Sequence, residues 1–154
     1  FAEDALQIEG TIDTSKGLCQ GGVYFATPTQ QNYSLHYLLA LFNSRLLTFV
    51  FKCLYSGIHM GGGFLRFRTQ YLQELPIHPI DFDNPVEKKM HDDLVALVGR
   101  MLELNKRLAP IRNTPCNERD ELLREMNRTD NEIDNLVYDL YGLSEEERKI
   151  VEGS

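Results

Sequence analysis

Tyr37-Leu38-Leu39-Ala40-Leu41-Phe42-Asn43-Ser44-Arg45-Leu46 is the centre of the most apolar stretch of this chain, Leu35 to Leu54, and its reading decides the fold. The apolar residues fall on more than one helical face, so a helix here is buried nearly all round instead of lying half in water. A membrane span is the first rival, because about twenty apolar residues cross a bilayer. His36, Asn43, Ser44, Arg45 and Lys52 interrupt the run, with Arg45 near its middle, and a charge at that depth is costly. The stretch therefore reads as two short buried helices meeting near Asn43-Ser44, with the rest of the chain wrapped around them.

Before this centre the sequence has the texture of short strands and turns. Ile8, Thr11 and Ile12, then Val23 to Ala26, are β-prone patches, and Gly10, Gly17 and Gly21-Gly22 mark turns between them. Asn32 or Ser34 caps the helix that follows. After the centre comes Gly61-Gly62-Gly63, which cannot hold a helix and leaves the backbone bare. The next residues alternate, with Phe64, Arg66, Arg68 and Gln70 on one strand face and Leu65, Phe67, Thr69 and Tyr71 on the other. Bare amides beside paired guanidiniums suit a polyanion, since Arg makes bidentate bonds to phosphates and guanine edges. Arg66, Arg68, Gln70, Lys52 and Gly61 to Gly63 are thus the candidate DNA-binding residues. The alternative is a β-hairpin whose arginines are only its wet face. The glycines lack the Lys-Ser/Thr of a phosphate loop, which argues against nucleotide hydrolysis.

Leu75-Pro76-Ile77-His78-Pro79-Ile80 is forced to be extended and closes the first part, residues 1 to 80. Asn84-Pro85 opens a helix, with Asn84 as N-cap. Met90, Leu94, Leu97, Met101, Leu104 and Leu108 then follow heptad spacing, as do Leu122, Met126, Thr129, Ile133, Leu136 and Leu140 beyond Pro115. Two helices of about 24 residues, each roughly 36 Å long at the usual rise, joined by a short connection, make an antiparallel hairpin. Val137 widens the second stripe, leaving apolar surface for a third element. Leu94, Leu97, Met101, Met126, Ile133 and Val137 are the candidate docking residues, for a partner domain or a second copy. Gly142 stops the second helix, and Ser144 to Glu147 caps a short last one. The fold class is α+β: a small sheet with buried helices in residues 1 to 80, then a coiled-coil-like hairpin in 81 to 154.

The formal charge of −7 is unevenly placed. Up to Ile80 acids and bases balance; from Asp81 onward eleven Lys or Arg face eighteen Asp or Glu. The field a ligand meets is local, so the acidic total does not exclude DNA but makes the second part an unlikely place for it. Cys19, Cys53 and Cys116 are odd in number and far apart, which suggests neither a disulfide framework nor a zinc site and fits a reducing cytoplasm. The start at Phe1 suggests a piece of a longer protein. No catalytic set assembles. His36, His59, His78 and His91 form no ligand pair. Asp81, Glu87 and Lys89 imitate a nuclease's Asp and Glu-x-Lys, but Glu87 and Lys89 are two apart in a first helical turn and share no face.

Taken in order, these pieces resemble a known family. The LL-x-L-x-NS-x-L core from Leu38 to Leu46, the glycine-rich strand, the L-x-x-LPI exit from Leu72 to Ile77 and the ID-x-LVY-x-LYGL run from Ile133 to Leu143 are similar to the TaqI-like carboxyl-terminal specificity domain and its surroundings. That domain belongs to adenine-specific DNA methyltransferases and fused restriction-modification enzymes, and the likeness covers most of residues 24 to 151. The helical pair also resembles the spacers of Type I specificity subunits. The resemblance implies a non-catalytic target-recognition part that binds double-stranded DNA. Its partner would be a separate methyltransferase domain that binds S-adenosylmethionine and flips the adenine. The fragment itself would need no cofactor. Asp83-Asn84-Pro85-Val86 departs from the base-holding Asn/Asp-Pro-Pro-Tyr/Phe motif, and no base-reading residue carries over. The other class of function is a docking or dimerisation module built on the hairpin.

Overall fold

Ser44 splits the apolar run as its chemistry requires. Its hydroxyl donates to the Leu41 carbonyl at 2.7 Å, ending α1 (Leu35–Asn43), and accepts the Leu47 N–H at 3.2 Å, opening α2 (Arg45–Leu54). One small side chain thus satisfies groups at two helix ends. The axes bend by 58° at this joint. No single described helix is long and apolar enough to cross a membrane, and Tyr37, Leu41, Leu47 and Phe51 are buried within the protein itself. The computed structural model describes residues 1–14, 21–26, 34–55 and 65–153.

The strands are shorter than the sequence suggests. β1 (Asp4–Ala5) pairs antiparallel with β2 (Leu65–Arg66), Asp4 opposite Arg66, and Ala2 bridges to Val23. Ile8 and Ile12 lie outside any strand; Ile8 is instead buried on α2, its N–H donating to Thr48 Oγ1 at 3.1 Å. The arginine strand ends at Arg66, and α3 (Thr69–Leu72) begins three residues on. The alternation holds from Leu65 to Arg68, with Leu65 and Phe67 buried and Arg68 exposed. Gln70 leaves the strand face and sits in α3.

α4 (Pro85–Leu108) and α5 (Asn117–Leu140) form the antiparallel hairpin, and α6 (Glu145–Glu152) follows with a full Ser144/Glu147 capping box. Arg107–Glu118 near the turn and Arg100–Glu125 farther along pair across the two helices. Near the turn, Leu104, Leu108 and Leu122 make their own small cluster. Toward its start, however, α4 buries His91, Leu94 and Val98, a face rotated from the expected Met90-Leu94-Leu97-Met101 seam. The cause is α1. Tyr37 stacks its ring 5.1 Å from His91, and Leu39, Ala40, Val98 and Met101 line one cavity, so the two helices run side by side. Helix α4 must serve α1 and α5 at once.

One apolar cluster therefore joins Ala5, Ile8, Leu41 and Phe51 to Leu94, Val137 and Val151. The boundary at residue 80 divides the sequence by texture, but the core runs across it.

Candidate nucleic-acid interface

The residues that end α2 pack against those that follow β2. The Phe51 ring lies 4.6 Å from Phe67 and 4.9 Å from Tyr55, and Tyr55 lies 4.6 Å from Tyr71. Phe51 precedes Lys52 and Phe67 precedes Arg68, so this aromatic contact joins the two segments that carry the cations. Tyr55 and Leu65, the described residues on either side of 56–64, belong to the same two segments. Gly61, Gly62 and Gly63 lie outside the described residues.

The two arginines are not equivalent. Arg66 is half-buried and donates from Nε to Asp4 Oδ1 at 3.0 Å, with Nη2 3.4 Å from the other oxygen. The Asp4 carboxylate holds its pKa above the usual value. Its first task is to fasten β2 to β1. Arg68 is exposed at the N-cap position of α3, with a backbone that is extended and a side chain that makes no cap bond. Gln70 is exposed nearby, and Lys52 is half-buried on α2.

One tyrosine neighbours the arginines. Burial, then the Glu3 carboxylate, pushes the Tyr24 hydroxyl up, while Arg68 and Arg66 pull it the other way. Burial, then Glu74, raises Tyr55. Half-buried Tyr24 thus lies near Arg66 and Arg68, and half-buried Tyr55 and Tyr71 pack on each other on the segments that carry Lys52 and Arg68; aromatic faces combined with cations suit nucleic acid by stacking and charge together. Sequence reasoning missed them because they come from three separated segments. The Phe51–Phe67 and Tyr55–Tyr71 contacts, both tertiary, bring two of those segments together.

The hairpin residues proposed for docking are placed differently from one another. Leu94 and Val137 are fully buried and Ile133 nearly so, holding α4 and α5 in the chain's own core. Met101 and Met126 are half-buried. Leu97 and Leu136, also half-buried, line an open groove with Ala96, edged by Asp93, Glu132 and Asn135.

The Asp81, Glu87 and Lys89 triplet is occupied structurally. Glu87 accepts the Asp81 N–H at 3.0 Å and an Asn84 amide hydrogen at 3.2 Å, and lies 3.5 Å from His78. These bonds, the Asp81 amide first, lower its pKa. Lys89 pairs instead with Asp93. Among the described residues no group of three His, Cys, Asp or Glu is placed to hold a metal.

The motifs that carried the resemblance are the ties of the fold. Asn43, Ser44 and Arg45 clamp Gly10, cap α2 and reach α5, respectively. Tyr141 of the LYGL run donates to the Pro76 carbonyl at 2.6 Å and accepts the His78 N–H at 3.1 Å, while Tyr37 donates to the His78 carbonyl at 2.7 Å. The LPI exit is thereby held between the first helix and the end of the hairpin.

Residues 3–77, just under half of the chain, match the family model of the TaqI-like C-terminal specificity domain, bearing out the resemblance over that span. The type II restriction enzyme and methyltransferase RM.Eco57I of Escherichia coli is 27% identical over 138 residues, which are 88% of this chain and 13% of that protein. The chain thus spans a small part of the curated relative it matches. No solved structure matches it.

Proposed function

With the specificity-domain match over residues 3–77 as the premise, we propose that this chain is the DNA target-recognition part of a restriction-modification methyltransferase and does no chemistry by itself. The duplex lies against the end of the molecule where Arg68 and Lys52 meet Tyr24, Tyr55 and Tyr71. The observation that carries this reading is the Phe51–Phe67 contact, which joins the segment bearing Lys52 and Tyr55 to the one bearing Arg68 and Tyr71. Arg68 supplies the exposed charge; Arg66, neutralised by Asp4, supports the strand it comes from. Phosphate contacts of this kind position the protein, and sequence is read by groups reaching base edges. Gly61 to Gly63 and Gln70 are kept as DNA-binding candidates without an assigned base. S-adenosylmethionine and the adenine belong to a methyltransferase domain elsewhere in the parent protein.

Photocrosslinking to duplex DNA containing 5-bromouracil tests the placement. Crosslinked peptides should contain residues 50–55 or 65–71. Crosslinks confined to α4, α5 and α6 would overturn it.

A second reading rests on the groove around Leu97 and Leu136. The hairpin would dock the methyltransferase domain or another copy there. Leu97→Glu should then abolish self-association in sedimentation, whereas an unchanged monomer fraction would remove self-association from the account.

A further inference from the structure

Asp134 is a buried acid in α5, remote in sequence from the candidate DNA-binding residues, yet it is bonded to the joint between α1 and α2. The Arg45 N–H donates to its Oδ1 at 2.9 Å, and the Arg45 Nε lies 3.2 Å from its Oδ2. Its side chain is 6% exposed. It thus sits at the N-terminus of α2, where an anion complements the helix dipole and accepts an orphan amide.

From that joint a continuous series of bonds leads to the arginines. Asn43 holds both backbone groups of Gly10 and Thr48 holds the Ile8 N–H. The Glu9 carbonyl accepts the Ala2 N–H at 2.9 Å, and the Glu3 carbonyl accepts the Phe67 N–H at 2.7 Å. Asp4 then holds Arg66. Beside the first link lies a cavity of about 230 Å³ lined in part by Gly10, Asn43, Ser44, Asp130 and Asp134. Packing alone therefore does not fill the joint; directed bonds fix it.

We infer that Asp134 is a positioning residue: through Arg45 and the joint it sets the place of residues 1–10, and through them the strand and loop that carry Arg66 and Arg68. The consequence for DNA rests on the target-recognition reading above; the consequence for residues 1–10 does not. The carboxylate is kept although burial, its leading influence, pushes its pKa to about 6. Arg45 of α2, Asp130 and Tyr138 of α5, and Glu152 of α6 are the charged and titratable groups around it, with Arg148 of α6 facing Tyr138. A buried acid that disfavours its own charge is retained for geometry, not for stability.

Amide hydrogen exchange on the whole chain, with duplex affinity measured in parallel at pH 5 and pH 8, tests the inference on Asp134→Ala and Asp134→Asn. The alanine variant should exchange Ile8, Gly10 and Phe67 at least tenfold faster, with Leu104, Leu108 and Leu122 unchanged, and should bind duplex about tenfold more weakly. The asparagine variant, which keeps an oxygen to accept the Arg45 N–H, should restore both at each pH. Unchanged exchange at Ile8 and Gly10, or equal acceleration at Leu104 and Leu122, would overturn the inference. Faster exchange with unaltered affinity would overturn its consequence for DNA. A wild-type chain that binds no duplex would sink the target-recognition reading, and the exchange result would still decide the role of Asp134 in placing residues 1–10.

Discussion

The Asn43 side chain grips the backbone of Gly10 from both sides, accepting its N–H at 2.8 Å and donating to its carbonyl at 3.0 Å. An amide side chain offers the same donor and acceptor as a peptide group, so Asn43 acts toward Gly10 as a neighbouring strand would. It does this from the last residue of α1, and the first ten residues need no longer sheet to stay in place. Gly10 is itself constrained: an added Cβ would lie 2.7 Å from the Phe1 ring. That ring is packed edge-on against Phe42 and has little room to withdraw. Asn43→Ala should cost roughly 1–2 kcal/mol through the two lost bonds, and Gly10→Ala roughly 1–3 kcal/mol through overpacking. Urea denaturation with both midpoint and slope recorded checks both values.

The pH dependence of stability should carry the mark of Asp134. Its folded pKa of about 6 stands above the ordinary 3.8, so between those values the folded state holds a proton that the unfolded state has released. Stability from this group is therefore present at low pH and lost as pH rises from about 4 through about 6. Asp134→Asn should raise the melting temperature at pH 7 by more than at pH 4.5, with a gain of up to roughly 3 kcal/mol. Glu87 and Glu147, whose folded values are lowered by amide bonds, act in the opposite direction at more acid pH and are common to both proteins. A difference between the two proteins that does not vary with pH would contradict this account of the site.

Tyr37 and Tyr141 both hold His78, one at its carbonyl and one at its N–H. Each Phe substitution should cost roughly 1–2 kcal/mol. The two should couple in a double-mutant cycle, since both act on the same short extended segment.

Tyr138 should behave in the reverse way. It is fully buried, its hydroxyl has no hydrogen-bond partner among the described residues, and burial pushes its pKa to about 12. Tyr138→Phe removes that unpaired polar group and should leave stability equal or higher by roughly 1 kcal/mol. Thermal unfolding of the single variant is sufficient to check it.

The helices were legible because their signals are local. Ser44 and Asn84 cap their helices, Gly142 adopts a φ of +69° just past α5, and the hairpin follows from its periodicity and short connection. Of the strands, β2 lies inside the alternating run, whereas β1 was hidden, because the two are only two residues each and are fixed by the Asp4–Arg66 contact and the Asn43 grip, both between distant residues. The heptad seam misplaced His91 and Val98 for a similar reason: it anticipated one neighbour for α4, which has two. At the candidate site the sequence brought out Arg66 and Arg68 as a pair, and only the structure separates the exposed one from the one paired with Asp4. The three tyrosines were hidden by their spacing along the chain.

Duplex titration at several salt concentrations, on the wild-type chain, Arg66→Ala and Arg68→Ala, decides whether Arg68 meets DNA. Binding should be salt-sensitive, with Arg68→Ala folding normally and flattening the plot of log affinity against log salt by about one phosphate contact. Arg66→Ala should instead lower thermal stability through the lost Asp4 pair. Wild-type binding indifferent to salt, or an Arg68→Ala slope equal to the wild-type slope, would contradict that contact.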